Sequence, residues 1–273
     1  MRVTVLGSGS RGNAILVESG DARVLVDAGF SGKDIARRLQ AVDVHPDSIT
    51  GIVITHDHGD HTQGMGVYAR RHGTPLHLTR ATRQACRKLL AGKERIIEYG
   101  SSHGFDIGPL RIQPFLTVHD AADPVAVTVT DTATGAKMGV ATDLGRPTTS
   151  VRVALADSHL LILEANHDHA RLWEGPYPWS VKQRIASSRG HLSNSASAEL
   201  AAELHHDGLA AVVLAHLSDS CNDPELARTT VGSILERRGF TGLLEVAGQD
   251  EPGHPIEVEH LRRTVGPGQL SLF

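Results

Sequence analysis

The chain has 273 residues, 21% of them charged, and a formal net charge of −4. That length supports one large domain or a two-layered pseudo-duplicate, and the slight acidic balance excludes bulk coating of nucleic acid while leaving room for a local basic groove. Its two cysteines, Cys86 and Cys221, lack CxxC spacing, which excludes a zinc knuckle and a disulfide framework. Residues 1–7 enter a strand at once, without the apolar segment of a signal peptide. No run is long enough to span a bilayer, so a soluble, cytoplasmic protein is expected. Short apolar runs predict strands over 2–7, 14–18, 22–26 and 51–55, then 75–78, 111–116, 125–130 and 136–142. Ile35, Leu39 and Val42 at near-helical spacing mark a helix over 32–41, and further helices are expected over 61–72 and 80–91, the last carrying Cys86 as a small core residue. In the second half the pattern predicts a strand over 156–164 and helices over 179–188, 194–206 and 223–237. Strands near 210–215 and 242–246 complete the set. Strand clusters interrupted by helices in both halves predict an α/β fold of two facing sheets with helices outside.

The run Gly51-Ile52-Val53-Ile54 leads into Thr55-His56-Asp57-His58-Gly59-Asp60-His61, so ligand-type residues begin where a buried strand ends. His56 and His58, two apart in extended chain, point the same way and can share one metal. Asp60 and His61 fall where the chain turns into the next helix, and their side chains can swing to a second. Gly59 is read as the point where a Cβ would obstruct the bend. Asp57 reads as a helix N-terminal or supporting carboxylate rather than a ligand. Three more strand-like runs end in ligand types: Phe115-Leu116-Thr117-Val118 before His119, Met138-Gly139-Val140-Ala141-Thr142 before Asp143, and Ala211-Val212-Val213-Leu214-Ala215 before His216.

This series resembles the metallo-β-lactamase superfamily over essentially the whole chain, from Val24-Leu25-Val26-Asp27-Ala28-Gly29 to the segment around His216. The resemblance implies the four-layer αββα sandwich of that superfamily, with a catalytic domain over 1–265. It implies that His56, His58 and His119 hold one metal, that Asp60, His61 and His216 hold the other, and that Asp143 bridges both. It makes Asp27 the residue that orients the heptad loop. Aspartate rather than cysteine at 143 favours a bridged two-metal hydrolase over an antibiotic-hydrolysing enzyme. Histidine and aspartate ligands suit two divalent ions, zinc or manganese or iron.

Further along stand Glu164-Ala165-Asn166-His167-Asp168, Gly175-Pro176-Tyr177-Pro178-Trp179, Lys182-Gln183-Arg184-Ile185 and Gly190-His191-Leu192-Ser193-Asn194. With Gly7-Ser8-Gly9-Ser10-Arg11-Gly12-Asn13, these segments resemble the bacterial WalJ/YycJ-like branch, whose members are regarded as DNA exonucleases. Glu164 and His191 also match in order a Glu–His pair of the tRNA 3′-processing nucleases that protonates the departing oxygen, so Asp60, Glu164 and His191 are the expected catalytic residues. The bland alternative is that Glu164 and His191 tie two strand–loop junctions together. Lys182, Arg184 and Arg189 supply positive charge around the pair, and Asn166, Ser193, Asn194, Ser218 and Asn222 supply neutral donors, a mixture that suits phosphate recognition. His167 reads as a supporting or substrate residue and His169 as exposed; His72, His77, His205 and His206 fit no ligand pattern.

Gly266-Pro267-Gly268 breaks regular structure, and the Gln269-Leu270-Ser271-Leu272-Phe273 that follows resembles the pentapeptide by which bacterial replication and repair proteins bind the sliding clamp. Leu270, Leu272 and Phe273 would fill an apolar pocket and Gln269 its polar rim. The competing reading is a terminal strand packed on the protein itself. The expectation is therefore a two-metal phosphodiesterase acting on DNA, a 5′→3′ exonuclease in replication-associated mismatch repair, with DNA and the clamp as partners. The rivals are an RNA-processing nuclease, a thioester or lactone hydrolase, and a non-catalytic clamp adaptor.

Overall fold

The computed structural model describes residues 1–265. The tail 266–273, on which the expectation for Gln269, Leu270, Leu272 and Phe273 falls, lies outside the described residues. In the first half, β1 (Arg2–Gly7), β2 (Ala14–Ser19) and β3 (Ala22–Val26) form an antiparallel meander. The sheet continues in parallel through β4 (Gly51–Val53), β5 (Leu76–Leu78) and β6 (Ile96–Glu98). The second half repeats the plan. β7 (Phe105–Ile107), β8 (Leu110–Leu116), β9 (Val125–Asp131) and β10 (Lys137–Ala141) run antiparallel. They are followed in parallel by β11 (Leu160–Glu164), β12 (Ala211–Ala215) and β13 (Leu243–Val246). A short β14 (Ile256–Glu257) returns to pair with β1, giving two sheets of seven strands each.

Alternation along the strands builds the layers. Val3, Val5, Val17, Val24 and Val26 face Ile112, Val127, Val129, Val140 and Ile162 between the sheets. These are β-branched residues, whose shape suits a pleated buried face. The intervening Leu6, Leu16 and Leu25 turn outward, where Ile35 and Leu39 of α1 (Gly32–Ala41) and Met65 and Tyr68 of α3 (Met65–His72) cover them; the short α2 (Gly59–Thr62) precedes α3. α4 (Arg80–Ala85) flanks the same sheet. On the far side, Leu161, Leu163, Val212 and Leu214 are covered by Val151 and Leu155 of α5 (Thr149–Leu155) and by α8 (Asn194–Leu204) and α9 (Pro224–Arg237). Between β11 and α8 lie two short helices, α6 (His169–Glu174) and α7 (Trp179–Ile185), and α10 (Val258–Val265) closes the described chain. Strands buried on both faces read as nearly continuous apolar runs, which is why they were visible in sequence.

Among the boundaries that differ from the sequence reading, three show their cause. The helix expected over 61–72 is broken at Gly64, which sits so close to the backbone that a Cβ would lie 2.0 Å from the Phe30 carbonyl oxygen. The helix expected over 80–91 ends at Ala85 and tightens into a 3₁₀ turn, Arg87–Leu89. The strand expected from 156 starts only at Leu160, because Asp157 takes a left-handed conformation (φ 57°) after α5, a helix capped by Thr148 that its Thr-Thr-Ser start concealed. Among the described residues no helix is long and apolar enough to cross a membrane.

Candidate metal centre

Asp27, the heptad, His119, Asp143, Glu164 and His216 all stand at or just beyond the carboxyl end of a strand, β3, β4, β8, β10, β11 and β12 in turn, where α/β folds place their ligands. At three of these exits the chain turns through a left-handed residue that is not glycine: Asp27 (φ 65°), Asp143 (φ 57°) and His216 (φ 56°). Such backbone costs roughly 1–3 kcal/mol at each position, and such strain clusters at functional sites.

The structure brings the seven expected ligands together: His56, His58, His119 and Asp143 form one group and Asp60, His61 and His216 another, each with ligand atoms within 4.8 Å of one another. A third group, Asp143, Glu164, His191 and His216, shares a residue with each and links them. Asp143 stands between them, with Oδ2 3.0 Å from His61 Nε2 and Oδ1 3.5 Å from His119 Nε2 and 3.7 Å from His216 Nε2. Three of the histidines are oriented through their other ring nitrogen. His61 Nδ1 donates to Asp27 Oδ2 at 2.7 Å, His119 Nδ1 donates to the Gly190 carbonyl at 3.1 Å, and His56 Nδ1 meets Thr55 Oγ1 at 3.0 Å. Asp27 also accepts from the Thr55 amide, so one buried carboxylate fixes both ends of the heptad. This is how a protein chooses the tautomer that presents a lone pair to a metal.

The donor set fits divalent cations. His56 Nε2 is buried with no hydrogen-bond partner, and Asp143 Oδ2, equally buried, has only the His61 ring beside it, whose pKa burial pushes down but the Asp143 and Asp27 charges lift well above its ordinary value. Asp27, Asp60, Asp143 and Glu164 converge and make no ion pair with a lysine or arginine among the described residues, an arrangement costing several kcal/mol per ion unless cations compensate. Burial opposes charge on His216, yet the Asp143 charge and the contacts to Asp60 and Glu164 lift it to about 10. A centre that draws positive charge onto a buried imidazole is built to hold cations.

Glu164 is wholly buried beside this centre. Its Oε2 accepts from the Leu144 and Leu192 amides, both at 2.9 Å, while Oε1 lies 2.7 Å from His191 Nδ1 and 3.2 Å from His216 Nδ1. Burial pushes the carboxyl up, but the histidines and these donors hold it below the usual range. Burial likewise disfavours the charged form of His191, and Glu164 reverses this by charge and hydrogen bond. His191 lines a cleft of about 270 Å³ with His58, Asp60, Asp143 and His216, so its Nε2 side can meet a bound ligand while Nδ1 is held.

Several expected substrate residues are engaged elsewhere. Lys182 is buried and donates to the Trp173 carbonyl at 2.6 Å; Ser193 caps α8; Asn194 and Asn222 pair amide to amide at 2.9 and 2.8 Å. His167 is buried away from the cleft, with burial lowering its imidazole to about 4. Of that set Arg184, Asn166 and Ser218 line the cleft, and Asn166 donates to the His216 carbonyl at 2.9 Å. Asp57 accepts from the Ala122 amide at 2.8 Å and His169 is exposed, both as read from sequence. Gly59 is corrected: a Cβ there would meet nothing within 4 Å, whereas one on Gly29 would fall 1.6 Å from the Asp60 carbonyl oxygen.

Sequence reasoning passed over four contributors. Asn13 donates its amide N–H to the Asp60 carbonyl (2.8 Å), and Ser8 Oγ both donates to Asn13 Oδ1 (2.8 Å) and accepts from the His216 amide (2.9 Å). The stretch 7–13 is thus a strap joining the heptad loop to the loop after β12. Asp120 and Tyr177 line the cleft, Asp120 with Oδ1 3.4 Å from His119 Nε2. Ser8, Asn13 and Tyr177 stood within marked segments, and only Asp120, a polar neighbour of His119, carried no signal of its own.

Comparison with known proteins agrees with this geometry. Residues 7–148 match the family described as the metallo-beta-lactamase superfamily. The chain is 32% identical over 266 residues to exodeoxyribonuclease YycJ of Bacillus anthracis, covering 96% of this chain and 99% of that protein. It is 34% identical over 240 residues to exodeoxyribonuclease WalJ of Streptococcus pneumoniae serotype 2, covering 86% and 88%. In fold it is similar to the metallo-beta-lactamase fold protein YhfI of Bacillus subtilis, with TM-score 0.73 at 21% identity over 94% of this chain and 99% of that one. The short form of human tRNase Z follows with TM-score 0.66 at 18% identity, covering 94% and 99%.

Proposed function

The chain belongs to the metallo-beta-lactamase superfamily, and on that premise we propose that it is a two-metal phosphodiesterase that removes nucleotides from DNA, an exodeoxyribonuclease acting 5′→3′ in replication-associated mismatch repair. The observation that carries the reading is the junction of seven converging ligand-type side chains with the Glu164–His191 pair in one cleft. The whole-length similarity to exodeoxyribonucleases directs it to DNA. His56, His58 and His119 would hold one cation, Asp60, His61 and His216 the other, and Asp143 both. When bound, two such ions supply charge that polarises the scissile phosphate, lowers the pKa of water and offsets the developing negative charge.

The remaining work belongs to the chain's own groups. Asp27 and Asn13 hold the heptad so that its ligands need no rearrangement when substrate arrives. Arg184, exposed at the cleft wall, offers charge and donors to a phosphate oxygen. His191 stands where it can give a proton to the departing sugar oxygen, and Glu164, through Nδ1, fixes the ring so that Nε2 faces the leaving group. The tail from Gln269 to Phe273 would tether this domain to the sliding clamp, which fits work at replicating DNA.

One experiment tests both parts. The full chain and a chain lacking 266–273, each loaded with zinc, manganese or iron, are given end-blocked and free DNA, matched RNA, and a thioester, with and without clamp on the DNA. The expected result is degradation of DNA from its 5′ end at equal rates by both chains on short oligonucleotides, with a gain on clamp-loaded DNA for the full chain alone. Preferential cleavage of RNA or the thioester would overturn the DNA reading, and equal behaviour on clamp-loaded DNA would overturn the tether.

A further inference from the structure

Charge on the surface around the cleft is unevenly shared. Between 80 and 95 the chain carries six lysines and arginines against one acid, Glu94, in a protein of net charge −4. That acid is already paired with Arg70, and Arg83 is paired with Glu98 at 2.7 Å. Arg80, Arg87, Lys88, Lys93 and Arg95 are exposed and make no ion pair among the described residues. Arg80, Arg83, Gln84 and Arg87 line an open groove of about 450 Å³ beside α4.

The groove is joined to the cleft through the buried face of the same helix. Thr82 Oγ1 donates to the Ala122 carbonyl at 3.3 Å, and Cys86 Sγ approaches the Asp57 carbonyl at 3.8 Å. Those two loops carry Asp120 and His58 into the cleft wall. The rim at Ser10 and Ser218 has the other sign: Arg11 lies 3.1 Å from both Asp219 and Asp250, one cation against two carboxylates. A polyanion entering the cleft is repelled on that side and attracted on this one.

We infer that the groove formed by α4 and the Arg87–Leu89 turn is a docking track for the sugar–phosphate backbone of DNA, holding the part of the strand beyond the nucleotide in the cleft. The inference rests on the nuclease reading and adds where the substrate runs. Guanidinium groups on a short helix bind a phosphate backbone by charge and carry little sequence preference.

The test compares Arg80→Ala with Arg87→Ala as a double variant, the charge-keeping Arg80→Lys with Arg87→Lys, and the wild-type holoenzyme. The probe is a fluorescent, cleavage-resistant phosphorothioate DNA of about 20 nucleotides, titrated at several salt concentrations. The alanine pair should weaken binding about tenfold or more at low salt and flatten the slope of log affinity on log salt by roughly 2, one unit per lost phosphate contact. The lysine pair should bind nearly as wild type. Turnover of bis(p-nitrophenyl) phosphate, too small to reach the groove, should be unchanged in all three, which also shows that the fold is intact. If wild type degrades DNA yet the alanine pair binds equally well at every salt, the track is overturned and the nuclease reading stands. If wild type binds no DNA, that reading fails and the track with it. Tighter, arginine-dependent binding of equal-length RNA would overturn DNA as the occupant.

Discussion

Asp143→Ala should abolish DNA cleavage, with a loss of more than about 10³-fold in kcat, and should lower the bound metal from two ions per chain to one or fewer. Asp143 is buried, projects from a strained left-handed turn after β10, and places its two oxygens toward histidines of both ligand groups. Without it, two cations lose the negative charge that lies between them and repel one another at close range. Asp57→Ala is the control on the neighbouring loop. Asp57 braces the Ala122 amide and points to neither group, so its loss should cost less than about 10²-fold and leave both ions in place. Metal analysis of the purified variants beside their turnover on DNA separates the two cases. Equal loss in both variants would remove the bridging role.

The second large effect concerns the leaving group. His191→Ala should lose about 10²–10⁴-fold in kcat on DNA, the usual worth of a general acid, while both metals and substrate affinity are retained. On a nitrophenyl phosphodiester, whose phenolate departs without a proton, the same variant should lose far less. Glu164 acts through His191, so Glu164→Gln should show the same split in milder form, because an amide can still orient the ring but supplies no charge. It should also disturb the metal site somewhat, since Oε1 is shared with His216 Nδ1 at 3.2 Å. A loss of equal size on both substrates for His191→Ala would mean that the pair ties strand ends together and moves no proton.

These expectations draw on what the sequence makes legible. Ligands such as His56 and His216 could be found because each follows a fully buried apolar strand, which announces itself locally, and His119 because it follows the alternating strand β8. The edges of the fold were harder. β6 and β7 have three residues each and β14 has two, too few for periodicity to register, and α5 and α6 are one or two turns held by their caps, Thr148 and Asp168. The substrate residues failed for a different reason. Lys182, Asn194 and Asn222 have the right chemistry on the right loops, but whether a donor faces a ligand or its own backbone is decided by tertiary contacts that sequence order does not encode. Gly29 and Gly59 show the same limit: the glycine inside the heptad looked indispensable, and the close approach lies at the other one, against Asp60.

Anomalous X-ray scattering from crystals of the metal-loaded protein tests the two-metal centre most directly. Two peaks roughly 3.5–4 Å apart should stand on either side of the Asp143 carboxylate, one within reach of His56, His58 and His119 and the other of Asp60, His61 and His216. A single peak, or ions bound outside these residues, or Asp57 as a ligand in place of Asp60, would contradict it.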